Sequence, residues 1–157
     1  MVSDREVLHR SYTMWRDVIS ANRSAIYRDG MNFPRLHLVL LDCPDPFELA
    51  KFYSALTGIA VETRPGYAPE DVSDVDLVHD SLPTLSFQRV DNYVAPTWPD
   101  GSTPKQIHLD FEVNDLDEGE RHVLSIGARK AECQPGETFR VFLDPVGHPF
   151  CLTTTSD

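Results

Sequence analysis

Two rhythms of apolar positions run along this chain. Near the N-terminus Leu8, Tyr12, Trp15, Ile19, Asn22 and Ile26 recur at alternating steps of four and three, the period of one face of a helix. Ser3 and Glu6 stand at capping-box spacing, and Asp29-Gly30 supplies a left-handed stop. The pattern predicts an amphipathic N-terminal extension over residues 1–33. Its apolar stripe either packs on the chain's own domain or presents Tyr12 and Trp15 to a second copy.

After residue 33 the runs shorten to the length of strands. Apolar stretches at 35–41, 59–64, 75–79 and 84–90 read as strands, with a helix between the first two that opens on Asp45-Pro46 and closes at Gly58. The order then returns: a strand at 105–113, a helix at 115–126, and strands at 128–132, 139–143 and 149–154. The segment RPGYAPEDVSD and the stretch 92–104, rich in Pro, Asp and Gly, read as loops. Repeat 1 therefore covers about 34–91 and repeat 2 about 105–155, joined by the linker 92–104, within one α+β domain over 34–157. Each copy carries a histidine in its first strand, His37 and His108, 71 residues apart, and both are read as occupying the same strand position.

Alternation along a strand assigns faces. Placing Leu36, Leu38 and Leu40 under the helices turns His37 outward. The same reasoning turns out Gln88 in the fourth strand, His108, Asp110 and Glu112 in the fifth, and Cys151 in the last. His37, Gln88, His108 and Cys151 are thus expected on one concave surface. Two imidazoles, an amide oxygen and a thiolate are a donor set for one divalent ion, zinc or iron. A thiol buried among apolar neighbours stays protonated, so a metal-free cavity stands beside that reading. Asp110 and Glu112 are the general-base candidates. Arg140, taken to face the cavity, would pair with an anionic ligand. Phe142 and Trp98 would stack on it, with His148 at the rim.

Composition narrows the partners. A net charge of −11 repels phosphate backbones, and no phosphate-cradling glycine motif occurs, so nucleic acid is not an expected partner. No apolar run is long enough to span a bilayer. The N-terminus has no secretory h-region, and three scattered cysteines do not make a disulfide framework. The expected setting is the cytoplasm, and the expected assembly a homodimer.

Strand, helix, strand, strand, strand, stated twice, resembles the vicinal oxygen chelate superfamily, which includes glyoxalase I, extradiol dioxygenases and the fosfomycin and bleomycin resistance proteins. The strings LHLVLLDCPDPFELAKFYSALTG, KQIHLDFEVNDLD and FRVFLDPVGHPFCL carry the resemblance. It implies two βαβββ repeats curved into a cup-like mixed sheet, the glyoxalase/bleomycin resistance/dioxygenase fold, with the N-terminal helix as an extra. It also implies metal ligands from the first and fourth strands of each copy, matched here by His37, Gln88, His108 and Cys151. Cysteine stands where the chelating enzymes carry glutamate. The implied function is a metal-dependent lyase, isomerase or dioxygenase acting on a small molecule with adjacent oxygens. The alternative is a metal-free protein that sequesters a small molecule, as bleomycin resistance proteins do.

Overall fold

The computed structural model describes residues 36–62, 72–80 and 82–154, all within one compact unit that begins at Leu36. The helix expected over 1–33 and most of the loop after Glu62 lie outside the described residues. β1 (Leu38–Cys43), α1 (Pro46–Thr57), β2 (Asp74–Leu77) and β3 (Thr84–Arg89) form the first copy. β4 (Leu109–Glu112), α2 (Leu116–Ser125), β5 (Arg129–Lys130), β6 (Phe139–Leu143) and β7 (Pro149–Thr153) form the second. The strand expected at 59–64 is reduced to one bridge, Val61 to Leu77, with the Glu62 N–H donating to the Asp76 carbonyl.

Two mixed sheets result, ordered β1-β3-β2 and β4-β7-β6-β5. In each, the first strand of a copy lies parallel to its last, and an antiparallel neighbour flanks that last strand on the other side. A parallel pair cannot be closed by a tight turn, so each copy has to cross over through its helix. Among the described residues no helix is long and apolar enough to cross a membrane.

Local chemistry sets the helix ends. Asp45 Oδ1 accepts from the N–H groups of Phe47 and Glu48, both at 3.1 Å, Pro46 occupies the first turn, and Gly58 closes α1 in the left-handed region. In α2 the Asp115 carboxylate accepts from the Glu118 N–H at 2.8 Å. Gly119 lies inside that helix, where glycine costs about 1 kcal/mol of propensity. A Cβ there would come within 2.9 Å of the Leu152 side chain, so the glycine lets α2 sit close on β7.

α1 turns Pro46, Leu49, Ala50, Phe52 and Tyr53 inward. One core runs through both copies, with Tyr53 stacked on Phe87 at 5.1 Å and Phe142 on Phe150 at 5.8 Å. Leu41 and Cys43 are buried in that core, whereas Leu36 and Leu40 are exposed. Alternation then puts positions 37, 39, 41 and 43 on the helix side of β1, and Leu38, Leu40 and Asp42 on the open side. The expected phase of this strand is inverted. A strand reading LHLVLL is apolar on both faces, and a slip of one residue exchanges them.

Candidate ligand site on the second sheet

Asp110 in β4 pairs with Cys151 in β7. Phe150 and Leu152 are fully buried in the main core, with Leu109 and Phe111 packed on it. His108, Asp110 and Cys151 therefore share the opposite face. There Cys151, Ala131 and Val141 make a second small apolar cluster against Trp98 and Phe139.

On this face three side chains converge. His108 Nε2 lies 3.1 Å from Cys151 Sγ and 3.2 Å from Asp110 Oδ1, and one donor atom from each residue falls within 4.8 Å of the others. The Cys151 sulfur is buried, while the His108 side chain is 24% exposed and that of Asp110 62%. Sulfur forms the floor of the site and the carboxylate its rim. His108 Nδ1 is buried, so Nε2 is the ring nitrogen that faces sulfur and carboxylate.

Trp98 walls the site. Its Nε1 donates to the Cys133 carbonyl at 3.2 Å. Its ring lies nearly parallel to the His108 imidazole, with centroids 6.1 Å apart and 17° between planes. Lys105 Nζ sits 4.4 Å from the indole centroid. The loop that carries both residues closes on itself, with Thr97 N–H and Oγ1 donating to the Thr103 carbonyl.

Burial pulls the His108 pKa below its ordinary value, and the Lys105 ammonium adds to that pull. Burial and then the Asp110 charge push the Cys151 thiol up to about 11. A neutral imidazole beside a protonated thiol is no thiolate–imidazolium pair, so the cluster is not a resting nucleophile. It is an N, O, S donor set, with sulfur usable once its proton is displaced.

The remaining expected site residues are distributed otherwise. His37 is exposed, one residue before β1, its carbonyl accepting from the Thr84 N–H. It belongs to the helix side of that sheet, opposite Gln88, whose pairing partner is Asp42. The cap residues explain the error in register. Asp45 and Asp115 stand seventy residues apart, so the counterpart of His108 is Leu38, and His37 matches Ile107. By the same offset and the strand pairings, the first-copy counterparts of Asp110 and Cys151 are Leu40 and Ser86. The first sheet thus has no equivalent of the donor cluster. Gln88 is exposed on the open face of that sheet.

Arg140 does not face this donor cluster. It reaches α2, with Nη2 2.6 Å from Asp117 Oδ1 and Nη1 2.6 Å from Glu120 Oε2. Val141 lies in the cluster around Cys151, and Phe142 is wholly buried in the main core rather than free to stack on a ligand. The strand FRVFL is turned over, because Phe139, Val141 and Leu143 on one face and Phe142 on the other are all large apolar side chains, and a slip of one residue exchanges them. Glu112 is exposed in a shallow groove with Asn114, Glu118 and His122. His148 is no rim residue: its Nδ1 meets Asp144 Oδ2 at 2.8 Å and its Nε2 meets the Tyr93 hydroxyl at 3.2 Å.

Three residues of structural weight were missed: Asp144, Tyr53 and Lys105. Asp144 is fully buried. Its Oδ1 accepts from the N–H groups of Val146, Gly147 and His148, and its Oδ2 also accepts from the Tyr53 hydroxyl at 3.1 Å. The Asp-Pro-Val-Gly turn was the available signal for it, since aspartate at the head of a turn binds the N–H groups that follow. Nothing local marked Tyr53 or Lys105.

A family model described as a glyoxalase-like domain matches residues 38–153. No curated protein matches the sequence. Among solved structures, a glyoxalase/bleomycin resistance/dioxygenase family enzyme from Burkholderia phytofirmans superposes with a TM-score of 0.57 at 14% identity, over 78% of this chain and 100% of its own. A fosfomycin resistance protein from Mesorhizobium loti does so with 0.57 at 14%, over 80% and 94%. A glyoxalase family protein from Enterococcus faecalis gives 0.55 at 24%, over 78% and 99%. At these identities the likeness is one of fold.

Proposed function

Given that the chain belongs to the glyoxalase-like domain family, we propose that it binds a small molecule on the open face of its second sheet, at a divalent-ion site made by His108, Asp110 and Cys151. The observation that carries this reading is the approach of imidazole nitrogen, carboxylate oxygen and thiol sulfur to within 4.8 Å of one another. The donor set fits zinc: a neutral imidazole is ready to coordinate, a carboxylate is at hand, and a thiol prefers a borderline-soft ion. Three protein ligands leave a coordination position for the small molecule. Such an ion, when bound, stabilises negative charge on an oxygen of the ligand, a device shared by lyase, isomerase and oxygenase chemistry. The chain's own part is to hold the donors on paired strands, to wall them with Trp98, and to keep water from the sulfur by burial. Cys43, Cys133 and Cys151 are all unpaired, which suits a reducing compartment such as the cytoplasm.

A second reading keeps the open face as a binding surface and discards the ion. It is favoured by Leu38, Leu40 and Ser86, which leave the first copy without ligands, so that any ion would rest on one sheet. Elemental analysis of tag-free protein, followed by zinc titration of the wild type and the H108A and C151A variants, separates the two. Near-stoichiometric zinc, lost in both variants, supports the metal site. Less than about a tenth of an equivalent, with no uptake on titration, removes it and leaves the metal-free binding protein.

A further inference from the structure

We infer that Lys105 is the anion-recognition group of this site, and that the ligand it reads is a small organic carboxylate. The inference rests on the location proposed above and adds the chemical class of the ligand. Lys105 Nζ is parked over the Trp98 indole at 4.4 Å, and that indole stacks beside His108. The ammonium is held in place by a ring, a contact that uses its charge and none of its three N–H donors. No hydrogen-bond or ion-pair partner of Lys105 occurs among the described residues. Asp110, the nearby acid that could have neutralised it, is engaged by His108. Lysine stems are long enough to carry the head group away from a ring and toward a ligand, and the closed Thr97–Thr103 loop sets the starting point.

Charge accounting supports an anion rather than a cation. The Lys105 ammonium stands over Trp98, whose ring lies beside His108. Against an overall −11, this is a local patch of opposite sign at the donor cluster. A charge-assisted bond from an ammonium to a carboxylate oxygen is about twice as strong as a neutral one.

The test uses the full chain and two probes of one shape, salicylate and salicylamide, titrated into zinc-loaded and chelator-treated protein while the Trp98 indole N–H is followed by NMR. Salicylate is expected to move that resonance, with affinity about tenfold weaker in K105Q and within about threefold of wild type in K105R. Salicylamide is expected to bind wild type and K105Q alike, and weakly. The inference is overturned if salicylate binds K105Q as well as wild type, if the amide matches the acid, or if salicylate leaves the resonance unmoved at about 10 mM. The two readings fail separately. Loss of zinc binding with Lys105-dependent salicylate binding intact removes the ion alone, and zinc binding with no effect of K105Q removes the carboxylate alone.

Discussion

Asp144 is expected to be the costliest single polar residue to remove. Its carboxylate is fully buried and accepts five hydrogen bonds: the N–H groups of Val146, Gly147 and His148 at 3.0, 2.8 and 2.8 Å, the Tyr53 hydroxyl at 3.1 Å, and His148 Nδ1 at 2.8 Å. Tyr53 lies in α1 and Asp144 just after β6, 91 positions apart, so these bonds tie the first copy to the second. Asp144→Ala leaves the Tyr53 hydroxyl sealed in the core and the His148 ring facing an apolar gap, each orphan costing about 1–3 kcal/mol. The Gly147 N–H keeps the Asp144 carbonyl as a partner and adds less. With the part-buried Val146 and His148 N–H groups included, the loss comes to about 3–5 kcal/mol, the range for breaking a buried charged network on one side. Urea unfolding with an unchanged m-value measures it, and thermal unfolding should fall by about 10–20 °C. Tyr53→Phe, which removes one donor and leaves four, should cost about 1 kcal/mol. A loss below about 1 kcal/mol for Asp144→Ala would refute the reasoning, because it would mean that desolvating the carboxylate offsets all five of its bonds.

Other outcomes follow from the same geometry. His37→Ala, exposed and on the helix side of β1, should leave zinc affinity within about twofold and stability within about 0.5 kcal/mol, as titration and urea unfolding would show. Zinc affinity should rise about tenfold per pH unit where one thiol proton is displaced, and level off above the Cys151 value of about 11; a flat profile between pH 6 and about 8 would exclude the thiolate as a ligand. Arg140 holds Asp117 below the usual carboxylate range, and Lys130 first and then Arg140 do the same for Glu120. Depressed folded-state values add stability that is present above the unfolded carboxylate pKa and lost as pH falls through the folded one. The deficit of Arg140→Gln should therefore be full at neutral pH and fade in acid, as paired urea curves would show. Phe142→Ala should cost about 3–5 kcal/mol as a core cavity, with no specific effect on ligand affinity.

The candidate site was half legible in the sequence. In IHLDFE and PFCLT polar and small residues alternate with large apolar ones, so the facing of His108, Asp110 and Cys151 could be read from periodicity. Their approach to within hydrogen-bonding distance could not, since it depends on the Asp110–Cys151 pairing of two strands far apart in the chain. Trp98 was recognisable as a wall residue by type. The Lys105 ammonium came to it through a loop closure that no local signal announces.

What the chain determined by itself is whatever depends on neighbours within a few residues: the Asp45 and Asp115 caps, the Gly58 stop, the strand–helix–strands order stated twice and hence the family fold. What the tertiary structure decided is which face turns inward in a strand that carries large apolar side chains on both faces. For β1 and β6 both choices bury similar hydrocarbon, so the hydrophobic effect, which has no direction of its own, cannot select between them strand by strand. The selection is made collectively, by the register of β1 on β3 and of β6 on β7. That register sends His37 and Arg140 toward the helices and leaves His108 to join Cys151.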